Sequence, residues 1–183
     1  MLEWLSAAFG LEERMRLLEG AEACFATASG MAAVFTAMAA LCGAGDRVVS
    51  SRALFGSCFV ILDEILPRWG VETVFVDGAD LEQWRAALSV PTTAVFFETP
   101  SNPMQELVDI RTVCELAHAA GAKVVVDNVF GTPVFSRPLE HGATMVVHSL
   151  TKFISGHGDV TGGLVAGRAE PMTRIRNANR AMH

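Results

Sequence analysis

Short β-branched and apolar runs, each followed by a stretch with helical spacing, constrain this chain more than any other feature. The runs are Arg47–Ser51, Glu72–Val76, Thr93–Glu98, Lys123–Asp127, Thr144–Ser149 and Gly163–Ala166. They are close to continuously apolar rather than alternating, as strands are when both faces of a parallel sheet are covered. Between them, Asp109 stands where it can cap a helix that places Ile110, Val113, Cys114 and Ala117 on one face, and Gly121 stands where that helix should end. Asp80 and Gln83 have the spacing of a capping box. Met31, Val34, Phe35, Met38 and Leu41 form the apolar stripe of a helix that starts near Ser29. Strand and helix in alternation predict an α/β fold, a mainly parallel sheet sandwiched by helices. Residues 1–20 read as helix without a strand signal, and the polar tail from Glu170 to His183 reads as a helix.

A length of 183 residues suits one domain. With 51% hydrophobic and 19% charged residues the chain is expected to fold rather than to stay disordered. No apolar run reaches the length of a membrane span, and no secretory leader is visible. The net charge of −6 argues against nucleic acid as the main partner. Cys24, Cys42, Cys58 and Cys114 lack Cys-x-x-Cys spacing and suit buried thiols of a cytoplasmic protein. There is no tyrosine, and lysine occurs only at Lys123 and Lys152, so amine chemistry has two side-chain candidates.

Ligands of parallel α/β sheets sit at the carboxyl ends of the strands, and the unusual polar residues gather there. In Ser149-Leu150-Thr151-Lys152, two hydroxyls at alternate positions can share phosphate oxygens while a partly desolvated lysine reaches an aldehyde. The same four residues also fit a Ser/Thr turn with a solvated lysine. Asp127 ends an apolar strand where a carboxylate can hold a protonated pyridine nitrogen, or else cap the turn toward Gly131. Thr27-Ala28-Ser29-Gly30-Met31 opens a helix with small residues, a start that suits an anion and suits plain capping equally. Glu98-Thr99-Pro100-Ser101-Asn102-Pro103 is a rigid turn after a buried strand that can fix Asn102 against a ligand, and either X-Pro bond can be cis. His157 and Asp159 lack companions for a metal site, so no metal is expected.

In order, Ser-Gly-Met-Ala-Ala, Glu-Thr-Pro-Ser-Asn-Pro, Val-Val-Asp-Asn, His-Ser-x-Thr-Lys and Gly-His-Gly-Asp resemble the transsulfuration (Cys/Met metabolism) family of pyridoxal-phosphate enzymes, from about Leu17 to Gly167. Leu54–Phe59 and Phe96–Pro100 are most similar to its O-succinylhomoserine sulfhydrylase branch, and His148-Ser149 with Gly156–Gly163 about as similar to the gamma-lyases. The resemblance implies the large cofactor domain of pyridoxal-phosphate fold type I. It also implies pyridoxal 5'-phosphate as the cofactor, with Lys152 forming the Schiff base and moving protons, and Asp127 pairing with the ring nitrogen. Ser29, Ser149, Thr151 and the amides of Gly30 and Met31 would hold the phosphate, with Glu98 beside the cofactor. Phe55 would lie over the ring, where most members place an aromatic residue, often tyrosine, with Asn102 nearby. The reaction implied is replacement or elimination at the gamma carbon of an O-acylhomoserine or related amino acid; the alternative is a catalytically silent remnant. Family members are roughly twice as long, with an N-terminal Tyr-x-Arg segment and a C-terminal domain that binds the substrate carboxylate. Residues 1–183 are therefore expected to be a partial large domain, working as a homodimer or tetramer or with a second chain that supplies the rest.

Overall fold

The computed structural model describes the backbone of residues 2–181 and the side-chain surroundings of residues 10–177. Met1, Met182 and His183, within the two terminal helices read from sequence, lie outside the described residues. The strands are β1 (Ala23–Thr27), β2 (Arg47–Ser51), β3 (Glu72–Val76), β4 (Ala94–Glu98), β5 (Lys123–Asp127), β6 (Met145–Ser149) and β7 (Gly163–Gly167). The helices are α1 (Leu2–Glu19), α2 (Gly30–Leu41), α3 (Gly56–Val60), α4 (Leu66–Arg68), α5 (Leu81–Ala87), α6 (Ile110–Ala119), α7 (Thr132–Phe135) and α8 (Ala169–Ala181).

All seven strands join one sheet in the order β1-β7-β6-β5-β4-β2-β3. Pairings from β3 to β6 are parallel; β7 is antiparallel to both β6 and β1. The expected α/β architecture is thus present. Every residue of β4 is buried because helices cover both faces, and alternate residues of the central strands feed two apolar clusters. Val95, Phe97, Val124, Val126 and Val146 belong to the first, with Trp84 of α5 and Val113 of α6. Phe96, Val125, Met145 and Val147 belong to the second, with Val34 and Met38 of α2 and Ile175 of α8.

Several local expectations hold in atomic detail. Asp109 accepts the Thr112 N–H at 3.1 Å, and Gly121, at φ +80°, lies just past the end of α6. Ser29 Oγ accepts the Ala32 N–H at 3.1 Å at the start of α2. The box at Asp80 differs from expectation. Asp80 caps Gln83 N–H, but the Gln83 amide donates to Asp80 Oδ2 and accepts the Asp77 N–H instead of reaching the Asp80 amide. Two strands start a residue later than read, at Ala94 and Met145, although the preceding Thr93 and Thr144 already donate their N–H groups to the Arg47 and Val124 carbonyls of neighbouring strands. Strand β1 was not read from the sequence at all.

Candidate functional site

Three neighbouring parallel strands end together, and the loops that follow them wall a cavity of about 550 Å³. Strand β4 delivers Glu98, β5 delivers Asp127 and β6 delivers Ser149, followed by Thr151 and Lys152. The start of α2 adds Ser29, Gly30 and Met31, and the loops add Phe55 and Asn102. Every site residue named from the sequence borders this one cavity.

One end suits an anion. Ser29 uses its side chain to cap Ala32 and its carbonyl to accept Ala33, leaving the Gly30 and Met31 amides without an intrahelical partner. Helix α2 approaches β6 so closely that a Cβ at Gly30 would lie 2.6 Å from Ser149 Cβ. A second contact fixes the same corner: a Cβ at Gly163 would lie 2.2 Å from the Ser29 carbonyl oxygen. Small residues here serve close approach of backbone to backbone, which brings two free amides beside the Ser149 hydroxyl.

The other end suits a cation. Asp127 is buried, and its Oδ1 accepts the Val129 N–H at 3.0 Å, so the turn-capping role read from the sequence is also real. Burial, with the charge of Glu98 beside it, pushes the Asp127 carboxyl up to about 7 despite that hydrogen bond. An acid in this condition lacks a cationic partner, and a protonated ring nitrogen would supply one. Glu98 is also raised, by burial, against hydrogen bonds from the Phe55 and Asn102 amides. Its Oε2 accepts the Phe55 N–H at 2.7 Å, so one carboxylate ties down both loops that flank the cavity.

Lys152 also lines the cavity and belongs to a π-helical segment, Leu150–Ile154, whose helical course it interrupts at φ −97°, ψ −127°. It is exposed at the cavity wall, where the sequence reading expected partial desolvation. Phe55 is 42% exposed and borders the opening. The Thr99-Pro100 and Asn102-Pro103 bonds are both cis. All four cysteines are free and buried. Cys58, Ser57, Val129 and Phe130 also line the cavity and were missed, since nothing in a turn sequence tells which side chains point inward. Among the described residues no group of three or more His, Cys, Asp or Glu is placed to hold a metal ion, and no helix is long and apolar enough to cross a membrane.

The combination is an amine, an anion cradle, a buried acid and an aromatic ring around one cavity. A family model described as Cys/Met metabolism PLP-dependent enzyme matches residues 6–182. The chain is 69% identical over 159 residues to an O-succinylhomoserine sulfhydrylase of Mycobacterium tuberculosis, covering 87% of this chain and 39% of that protein. It is 45% identical over 166 residues to an L-methionine gamma-lyase of Pseudomonas putida, covering 91% and 42%. The crystal structure of metB from Corynebacterium glutamicum superposes with a TM-score of 0.88 at 37% identity, covering 92% of this chain and 44% of that one. The chain thus spans about two fifths of the length of the curated relatives it matches.

Proposed function

We propose, for a chain that belongs to the Cys/Met metabolism PLP-dependent enzyme family, that its cavity holds pyridoxal 5'-phosphate and serves replacement or elimination at the gamma carbon of an O-acylhomoserine or related amino acid. The observation that carries this reading is the gathering of Lys152, Asp127, Ser149, Thr151 and the two α2 amides around one cavity. The residues fit the cofactor. The amides of Gly30 and Met31 with the Ser149 and Thr151 hydroxyls would hold its phosphate, Asp127 would pair with its ring nitrogen, and Lys152 Nζ would hold its aldehyde. Ser29 caps the helix start, while Glu98, which accepts the Phe55 and Asn102 amides, would hold these two residues beside the ring. Once bound, the cofactor supplies covalent capture of the substrate amine and an electron sink for the bond broken at the alpha carbon.

The protein's own share is proton handling and positioning. Lys152 Nζ would act as the base that takes the substrate's alpha proton and as the acid that returns it. Asp127 Oδ would keep the ring nitrogen protonated and gain a partner for its buried charge. Phe55 brings no hydroxyl, so Lys152 does the acid-base work without a phenol. The 183 residues act as the cofactor-binding domain of this enzyme in the cytoplasm, where four buried free thiols stay reduced. Phe153, Val134 and Phe135, 62%, 80% and 87% exposed, support assembly with a second subunit.

A second reading, cofactor binding without turnover, draws on one observation: among the described residues no arginine lines the cavity to receive a substrate carboxylate. Assays of the cofactor-loaded protein with O-succinylhomoserine plus sulfide, and with methionine alone, decide between them. A thiol-containing amino acid or a keto acid as product supports the first; cofactor binding without either product supports the second.

A further inference from the structure

Asp127 and Asn128 are consecutive at the end of β5, and His148 and Ser149 at the end of β6. Neighbouring side chains of a strand take opposite faces, as Val125 and Val126, or Val146 and Val147, do in the two clusters. Asp127 and Ser149 serve the cavity, while Asn128 and the ring of His148 meet α1 across the sheet. There Glu19, the last residue of α1, receives both: its Oε1 is in hydrogen-bond contact with His148 Nε2 and accepts from Asn128 Nδ2 at 3.2 Å. Asn128 Nδ2 also donates to the Ser136 carbonyl at 2.9 Å.

The trio is out of reach of water: Glu19 and Asn128 are 0% exposed and His148 1%. Among the described residues, Glu19 Oε2, His148 Nδ1 and Asn128 Oδ1 find no hydrogen-bond partner. Such a cluster is a poor way to gain stability, since apolar residues of similar volume commonly do as well or better. An acid at a helix C-terminus also faces the negative end of the dipole. What hydrogen bonds offer that apolar packing does not is fixed direction. It is offered where the ladder runs out: the pairing of β5 with β6 ends at Asp127 opposite Val147, and Asn128 N–H to Val147 O, 3.1 Å, follows it.

We infer that Glu19, Asn128 and His148 are positioning residues that set the spacing of Asp127 and Ser149, and so make cofactor retention depend on the docking of α1. This rests on the reading that the cavity binds pyridoxal phosphate. The test uses the 183-residue chain, with cofactor affinity from absorbance titration and amide exchange of the cofactor-free protein. His148→Phe takes from the buried Glu19 carboxyl its ring partner and is expected to fold with a lower Tm, to exchange the Asn128 amide faster, and to lose about tenfold in affinity. Glu19→Gln keeps the acceptor oxygen and is expected to stay within about threefold of the parent. Should His148→Phe not fold, His148→Gln is read the same way. Parent protein that does not bind the cofactor sinks the underlying reading, and the inference with it. A parent that binds, beside a folded His148 variant with unchanged affinity and exchange, overturns the inference alone.

Discussion

Glu98 and Asp127 are direct partners in the register of two adjacent parallel strands, and both carboxyls are buried at the same edge of the sheet. The pair makes the cavity an acidic place before any ligand enters it, and much of the site's behaviour with pH follows from that.

The first consequence concerns stability. The ordinary aspartate pKa near 4 describes the unfolded chain, and folding pushes Asp127 up to about 7. Between those values the folded state binds the extra proton, so this residue makes the protein less stable as pH rises from about 4 to about 7, with little change above. The full penalty is on the order of 4 kcal/mol. Asp127→Asn is therefore expected to stabilise the cofactor-free protein more at pH 8 than at pH 5, as read by urea unfolding. An equal effect at both pH values contradicts the assignment.

Glu98 acts on its neighbours in two separable ways. Glu98→Gln keeps an acceptor for the Phe55 amide but removes the charge, so the pH-dependent loss of stability due to Asp127 should start at the same pH, be smaller and be complete at lower pH. Glu98→Ala also frees the Phe55 and Asn102 amides and should cost about 2 kcal/mol in unfolding free energy.

Close approach at Gly30 gives a third prediction. Gly30→Ala places a methyl group 2.6 Å from Ser149 Cβ, so α2 and β6 must move apart. A loss of about 1–3 kcal/mol is expected in denaturant unfolding. Affinity for pyridoxal phosphate should fall more than affinity for pyridoxal, because the displaced amides serve the phosphate.

Asp109 is not among the cavity-lining residues; it caps α6 by accepting hydrogen bonds from the Thr112 amide and hydroxyl, and these bonds, the largest causes, hold its carboxyl below the usual range. Asp109→Ala should lower stability by about 1 kcal/mol at neutral pH without changing cofactor affinity. The cap's electrostatic part is present above the unfolded pKa near 4 and lost as pH falls through the lower folded value. The Ala variant and the parent should therefore converge in acid.

How much of this was legible depended on where each residue's partners lie. The central strands were readable because Ala94–Phe97 and Val124–Val126 are buried on both faces and must be apolar throughout. Strand β1 was not, because Ala-Cys-Phe-Ala-Thr is an edge strand, mostly half-buried, with no β-branched run. Asp127, Ser149 and Lys152 stood out because a strand's end is visible in its sequence. The exposure of Lys152 did not, since it follows from a break in a π-helical segment with no composition signal. Glu19 and His148 lie 129 residues apart, so no local pattern could join them.

The central claim is that Lys152 Nζ takes a cofactor aldehyde, and the presence of just two lysines makes it directly measurable. Pyridoxal phosphate is added to the protein, reduced with borohydride, and the label located by peptide mass mapping. The account predicts an absorbance band near ~420 nm before reduction, label on the Lys152 peptide, and neither in Lys152→Ala. Label confined to Lys123, or a band that survives in Lys152→Ala, would contradict it.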